Sequence, residues 1–205
     1  EQANKELKAE QQKRVSDDIG ISIATTFELN SLMDILANDL PRLGLSQGYL
    51  SLYENPEAYN YPQLAPEWSR LVLSYDKKKS AKSSRIELKP GGQRFPTRKL
   101  VPENILPLHR PYCLVVLALY FRNNQIGNLL LQGDHQQVSL YDSLRVQISS
   151  ALEGSSLMKQ TNLHNKQLDK IVTETLSTSE EVQTTISETS KQAQAVSDAA
   201  QESIN

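Results

Sequence analysis

The chain has 205 residues and a formal net charge of −2, from 22 Lys and Arg against 24 Asp and Glu, so its charge favours neither nucleic acid nor an anionic membrane. No run approaches the roughly 18 apolar residues of a membrane span, which excludes direct membrane insertion. The single cysteine excludes an internal disulfide and a multi-cysteine metal site. We therefore expect a cytoplasmic protein without a cofactor. The chain begins at Glu1 with no secretory signal pattern, which we interpret as a piece of a longer protein.

The prolines mark the sharpest boundary in composition, because all nine lie between Pro41 and Pro111. Helix-breaking residues are nearly absent on the C-terminal side, where Gly154 is the one glycine after residue 138. Together with the helical spacing at both ends and a joint at Thr25–Glu28, this pattern predicts three parts: an N-terminal helix over 1–25, a mixed domain over 26–160 and a coiled-coil segment over 161–205.

Amphipathic spacing predicts two helices before the first strand. Apolar residues recur at near-helical intervals over 1–24. Thr25 to Glu28 has the S/T-x-x-E form of a capping box, which predicts that a second helix starts there. Pro41 ends that helix, because proline pushes the preceding residue out of the α region. The residues that we expect to face the core are Leu29, Leu32, Met33, Leu36 and Leu40.

Alternating and apolar runs predict an antiparallel sheet after Pro41. Strands are predicted at 47–53 and 68–75, followed by an irregular segment from Arg94 to Pro107. The run 112–121 is the most apolar in the chain and predicts a central strand buried on both faces. A tight turn at Asn123-Asn124 returns it to a partner strand over 125–133, and a helix over 139–159 packs back on the sheet. This order predicts an α+β fold.

Beyond residue 160 the helical segment carries a heptad seam, in which small and apolar residues repeat with alternating spacings of three and four. A single helix cannot bury such a stripe, so we expect a partner helix and a homodimer through the N- and C-terminal helices. In-line transmission along the helix favours a parallel pair. The seam consists of Leu168, Val172, Thr175, Ser179, Val182, Ile186, Thr189, Ala193, Val196 and Ala200.

The residue patterns of common catalytic and cofactor sites are missing. His109, His135 and His164 lack ligand spacing, and Cys113 in the apolar run is interpreted as a buried, inert filler. Pro90-Gly91-Gly92 is a turn signal and not a phosphate loop. The basic run 77–85 either contacts phosphate or lipid headgroups or is a solvated loop. We therefore predict that the chain is not an enzyme.

A small-molecule site between the sheet and the proline-rich crossover remains open. Strand aromatics with a polar end are typical of such pockets, and two arginines are candidates to clamp an anion. The alternative is that the tyrosines fill the core and the arginines lie outside. The candidate ligand-binding residues are Tyr49, Tyr53, Trp68, Arg70, Tyr75, Arg94, Tyr112 and Tyr120.

Several segments together resemble GAF-like domains of bacterial multi-domain signalling proteins, over about residues 20 to 160. The resemblance implies a PAS/GAF-type fold, a cytoplasmic location and a place between an input and an output module. The Cys-His pair of bilin-binding members is missing, since Leu114 follows Cys113. The matching segments are Leu40–Leu45, Tyr49–Glu54, Trp68–Leu71, Arg94–Pro96, Leu100–Pro102, Leu114–Val116, Leu119–Phe121, Gln125–Gly127 and Leu144–Leu152.

The C-terminal helix resembles the start of the signalling bundle of a methyl-accepting chemotaxis transducer, in the segments 179–186 and 195–203. The resemblance implies a chemotaxis kinase or adaptor as partner of the region downstream. It also implies methylation at the pairs Glu180-Glu181 and Gln201-Glu202, which are 21 residues (201 minus 180), or three heptads, apart. We expect a module that acts as a sensor or as a relay. In the sensor case its ligand is an unknown small molecule. The alternative is a dimeric spacer that binds nothing small, in a histidine kinase or diguanylate cyclase.

Overall fold

A computed structural model describes residues 2–55, 62–77, 85–103, 105–106, 112–133 and 138–202, with the side chains of 2–9, 11–12, 201 and 202 outside that description. The chain divides into two units, residues 1–156 and 157–205. The helix Val138–Glu202, called α3 below, contributes residues to both. The first unit contains every strand of the described residues.

Two helices open the first unit, and the joint between them differs from the prediction. Helix α1 spans Gln2–Ala24 and helix α2 spans Leu29–Asp39. The cap of α2 is Glu28, whose carboxylate accepts hydrogen bonds from the backbone N–H groups of Asn30 and Ser31. The prediction that a capping box starts the helix at Thr25 is wrong, because the Thr25 hydroxyl donates back to the Ile21 carbonyl at 3.0 Å and closes α1.

Helix α2 ends as its sequence predicts. Leu32, Met33 and Leu36 are buried, as expected from their spacing. A 3-10 turn at Leu40–Leu43 contains Pro41 and follows the helix directly. Gly44 then adopts a left-handed φ of 88°, a conformation that glycine enters without the steric cost of a side chain.

The sheet has five antiparallel strands in the order β3-β2-β1-β5-β4, which confirms the predicted α+β class with an antiparallel sheet and flanking helices. The strands are β1 (Gln47–Tyr53), β2 (Trp68–Asp76), β3 (Gln93–Pro96), β4 (Leu114–Phe121) and β5 (Asn124–Gln132). Strand β3 falls in the segment that was predicted to be irregular. It pairs with the first half of β2, with Trp68 opposite Pro96.

Strand β4 lies at an edge of the sheet, so the prediction of a central strand buried on both faces is wrong. Val116 is 47% exposed and Tyr120 is 41% exposed. The strands flanked on both sides are β2, β1 and β5. The turn after β4 consists of Arg122 and Asn123, one residue earlier than predicted, and Arg122 has a φ of 51°. Cys113 precedes β4 and is exposed, which corrects its interpretation as a buried filler.

The main core lies between the helices and one face of the sheet. Helix α1 contributes Ile19 and Ile23 to it, and the start of α3 contributes Leu144, Ile148 and Leu152. A second, smaller cluster lies on the opposite face of the sheet, where Tyr49, Leu71, Phe95, Val101 and Leu130 are buried together. Both faces of the sheet are therefore covered in its middle.

The described part of the second unit is the stretch 157–202 of α3. Its large apolar side chains are exposed: Leu168 by 57%, Val182 by 51% and Ile186 by 63%. None of the described helices has an apolar stretch long enough to cross a bilayer.

Candidate functional site

The sheet face opposite the helices buries several polar side chains. Nine polar or charged residues are buried among the described residues, and seven of them lie on this face or against it. Burying a polar group costs free energy unless it is hydrogen-bonded, so the partners of these side chains decide whether the face is satisfied. We call this surface the polar face; its buried polar residues are Gln47, Ser51, Ser69, Ser74, Asp76, Thr97 and Asn128.

The register of the strands brings these side chains together. Gln47 of β1 lies opposite Asp76 of β2, and its side-chain amide donates a hydrogen bond to the Asp76 carboxylate. On the neighbouring strand β5, the Asn128 amide donates to the Tyr53 hydroxyl at 3.4 Å. Gln125 in turn donates to the Asn128 side-chain oxygen at 2.9 Å. The face thus presents a carboxylate, amides and hydroxyls within one sheet.

A short covering segment follows β3. The hydroxyls of Ser69 and Thr97 are 2.7 Å apart, and the Ser51 hydroxyl donates to the Leu100 carbonyl at 3.5 Å. Val101 is buried in the cluster on the same face. Among the described residues, 97–103, 105 and 106 therefore cover the polar face by a few side chains and these two hydrogen bonds. Segments of this kind open at lower free-energy cost than a packed helix or a central strand.

Ser74 differs from its neighbours on this face. Its hydroxyl oxygen is fully buried and forms no hydrogen bond within the described part of the chain. It lies opposite Tyr49 in the β1–β2 ladder, and Tyr49 is buried in the cluster on the polar face. An unsatisfied buried hydroxyl costs about 1–3 kcal/mol of stability, so a ligand group that hydrogen-bonds to it would be bound more tightly by part of that free energy.

Of the predicted ligand-binding tyrosines, the polar face brings together Tyr49 and Tyr53, which are both nearly buried. Tyr75 lies on the other face, in the main core, where its hydroxyl donates to the Leu45 carbonyl at 3.3 Å. Burial raises the pKa of Tyr75 far above its usual value, and the neighbouring Tyr49 and Tyr141 add to the shift. Gly48 allows this placement, because a Cβ there would be 2.3 Å from the Tyr75 ring.

The predicted residues Trp68, Arg70 and Arg94 form a separate group at the β2–β3 edge. The Arg94 guanidinium lies 3.9 Å from the centre of the Trp68 ring. Both arginines bind the carboxylate of Glu54, each with an Nε–O distance of 3.0 Å. The anion that the arginine pair holds is therefore a side chain of the protein, and both guanidinium groups are about half exposed.

The remaining candidates lie apart from both groups. Tyr112 and Tyr120 are exposed at the β4 edge. His164 is exposed on α3, whereas His109, His135 and residues 78–84 of the basic run lie outside the described residues. Arg85, at the end of that run, forms an ion pair with Asp34 at 2.6 Å. Among the described residues no cluster of His, Cys, Asp and Glu is suited to hold a metal ion.

Sequence reasoning missed most of the polar face. Gln47, Ser74, Asp76 and Asn128 are ordinary polar residues in strand segments, and only their alternation with apolar neighbours marks them. In β1, Gln47, Tyr49 and Ser51 alternate with Gly48 and Leu50, of which Leu50 is buried in the main core. Tyr49 and Tyr53 were found because aromatic residues with a polar end are a stronger signal.

No protein-family model matches the chain, and no curated protein matches it. Among solved structures, it is similar to the GAF domain of an Acinetobacter phosphoenolpyruvate-protein phosphotransferase at 14% identity, with a TM-score of 0.48, over 73% of this chain and 98% of that one. It is also similar to the phycoerythrobilin-bound GAF domain of a cyanobacterial phytochrome at 13% identity, with a TM-score of 0.47, over 72% of this chain and 97% of that one. At these identities no residue role is transferred.

Proposed function

We propose that the first unit is a GAF-type sensor domain of a bacterial signalling protein, and that α3 passes its state to an output module of the chemotaxis type. The module is cytoplasmic and not an enzyme. The segments that resemble GAF-like domains and the transducer-like segments of the last helix support this proposal. In it, Glu180, Glu181, Gln201 and Glu202 remain predicted methylation sites.

One observation carries the proposal: α3 has two kinds of surface along a single helix. Near its start, Leu144, Ile148 and Leu152 are buried in the core beneath the sheet. From Leu157 onward its apolar side chains are exposed, and an exposed apolar face of this length needs a partner. A helix that belongs to the core at one end and offers a docking face at the other is suited to a relay.

The partner in this proposal is a second copy of the chain, joined through its N- and C-terminal helices, and a chemotaxis kinase or adaptor acts further downstream. The input is a small polar molecule on the polar face. Ser74, Asn128 and the Tyr53 hydroxyl supply neutral hydrogen-bonding groups, and Asp76 supplies the carboxylate. Binding there changes the packing of the sheet against α3, to the extent that the ligand prefers one packing.

A dimeric spacer that binds no small molecule is the second candidate. Its support is that several polar groups on the polar face satisfy each other, as in the Gln47–Asp76 and Ser69–Thr97 pairs. A spacer predicts that the face is filled and closed. Ser74 argues against it, because a closed face has no use for an unsatisfied hydroxyl.

Native mass spectrometry of the purified chain, followed by the same sample denatured, tests both candidates. A dimer mass with an excess that disappears on denaturation supports the sensor and gives the mass of its ligand. A dimer without excess supports the spacer. Pulsed EPR then tests the relay, with spin labels attached to Lys191→Cys in a Cys113→Ser background. Distances between the two copies that stay unchanged in every ligand state and in core variants would contradict the relay.

A further inference from the structure

The exposed part of α3 has a charge-free face that is wider than a simple two-position seam. In a heptad numbering that places Leu168 at position d, every Asp, Glu and Lys between 157 and 200 falls at b, c, e or f. Positions a, d and g carry no charged residue over that length. A two-stranded coiled coil needs only a and d for its seam, so the third position requires an explanation.

The third position creates a second seam that shares one row of residues with the first. The shared row, at position d, is Leu168, Thr175, Val182, Thr189 and Val196. One flank, at position a, contains Val172, Ser179, Ile186 and Ala193. The other flank, at position g, contains Ile171, Thr178, Thr185 and Gln192. Val172 is 55% exposed and Ile171 is 57% exposed, so the two flanks are equally accessible at this turn of the helix.

A second copy of this chain, parallel and in register, fits this surface best. Val172 and Ile186 are β-branched residues at position a with Leu168 at position d, a combination that favours two parallel strands. Asn165 is also at position a, where one asparagine facing its own copy fixes the register of a parallel pair. In an antiparallel pair, Asn165 would face an apolar or hydroxyl side chain instead.

The area of the surface indicates a marginal pair. Full burial of one Val, Leu, Ile or Met corresponds to roughly 60–120 Å². The large apolar residues at a, d and g are about half exposed, so together they offer roughly 300–500 Å² per copy. A stable interface buries about 800 Å² per partner, so the small residues must supply the rest.

We propose that two copies of the chain pair in parallel through α3 in two alternative seams, d with a or d with g, and that the first unit selects between them. This inference rests on the proposed dimeric relay and adds the residues of its two states. Adjacent residues, such as those at g and a, are about 100° apart around a helix, and row d lies between them. Moving the contact from d with a to d with g therefore turns each helix by about half of that angle, roughly 50°. The Thr, Ser and Ala side chains of the seam permit both packings, because they interlock weakly.

Disulfide cross-linking of full-length single-cysteine variants in a Cys113→Ser background tests the two seams. Val182→Cys reports the shared row, Val172→Cys reports the a flank and Ile171→Cys reports the g flank. A disulfide needs Cβ atoms about 3.5–4.5 Å apart, so each cysteine cross-links only when its position faces the partner. The chain is then biased by Ile186→Ala, which weakens the a flank, or Thr185→Val, which strengthens the g flank.

The expected result is cross-linking at Val182→Cys in every background, and measurable cross-linking at both Ile171→Cys and Val172→Cys. The ratio of Ile171→Cys to Val172→Cys yield should rise by at least about tenfold in either biased background. Cross-linking at the a flank alone in all backgrounds would overturn the two-seam inference and leave the dimer intact. Absence of cross-linking at Val182→Cys would overturn the parallel dimer itself, and with it the proposed relay.

Discussion

The shared row of α3 allows a quantitative test of the dimer through Val182→Ala. Val182 is 51% exposed, so about half of its surface remains for a partner to bury. The substitution removes two carbons, each worth about 0.8 kcal/mol when fully buried. Half of that value is about 0.8 kcal/mol per copy and about 1.6 kcal/mol per dimer. We therefore expect the dimer Kd to rise by about 15-fold.

Sedimentation equilibrium over a range of protein concentrations measures this change, with circular dichroism to check that the helix content is unchanged. The matched control is Thr184→Ala, two residues away at position f, where the side chain donates to the Glu180 carbonyl at 2.9 Å and faces away from the seam. Its Kd should change by less than twofold. Equal shifts in both variants, or no shift in Val182→Ala, would refute the assignment of the seam.

Two further predictions concern ionisable groups in the first unit. Tyr75→Phe should cost about 1 kcal/mol at neutral pH, because the Leu45 carbonyl loses its donor. Burial raises the pKa of Tyr75, so the phenol stays protonated in the folded protein while it ionises above about pH 10 in the unfolded chain. The wild type should therefore lose about 1.4 kcal/mol of stability per pH unit above pH 10 on account of Tyr75. The Tyr75→Phe variant should not show this part of the loss. Glu28→Ala should cost about 0.5–2 kcal/mol at pH 7 through loss of the α2 cap. The hydroxyl of Ser31 and two backbone N–H groups lower the pKa of Glu28, so the cost should fade as the pH drops through the folded pKa, below 4.5.

Urea denaturation across pH measures both effects. For Tyr75, a variant that still loses stability above pH 10 as steeply as the wild type would mean that other tyrosines cause the loss. For Glu28, the control is Glu28→Gln, which keeps an acceptor and should retain part of the cap. An undiminished cost of Glu28→Ala at pH 3 would mean that the carboxylate charge plays no part in capping.

The parts of the fold that sequence predicted correctly are those set by local spacing. Helix α2 follows from the spacing of Leu32, Met33 and Leu36 and from Pro41, and both signals act within a few residues. Strand β1 matches its predicted bounds, Gln47–Tyr53, because alternation with period two is a local pattern. Neither prediction depends on which distant segment the element meets.

The errors arise where a long-range contact decides the outcome. Strand β4 is apolar enough for a central position, but strand order depends on pairing between distant segments, which periodicity does not encode. The cap of α2 was misplaced because the Thr25-x-x-Glu28 pattern assigns the cap to the threonine and the third helical position to Glu28. The Thr25 hydroxyl instead donates to the Ile21 carbonyl at the end of α1, and the Glu28 carboxylate caps α2.

The polar face shows the same limit for a site. Gln47 and Asp76 are 29 residues apart in sequence, and Ser69 and Thr97 are 28 apart, so only the β1–β2 and β2–β3 pairings unite them. Chain order gave no reason to connect them. The aromatic residues Tyr49 and Tyr53 were identifiable because their residue type is itself informative, whereas serine and asparagine in a strand are not.

Ser74→Ala separates a binding face from a structural one. Its hydroxyl is buried without a hydrogen bond in the described part of the chain, so removal should stabilise the ligand-free protein by about 1–3 kcal/mol. The control Ser69→Ala removes a hydroxyl that lies 2.7 Å from Thr97, and should destabilise by a similar amount, because Thr97 loses its partner. Thermal denaturation measures both, and equal destabilisation would mean that Ser74 is satisfied in solution. A Ser74→Ala protein that is more stable yet loses its copurified ligand would mean that the wild-type hydroxyl is kept for binding at the expense of stability.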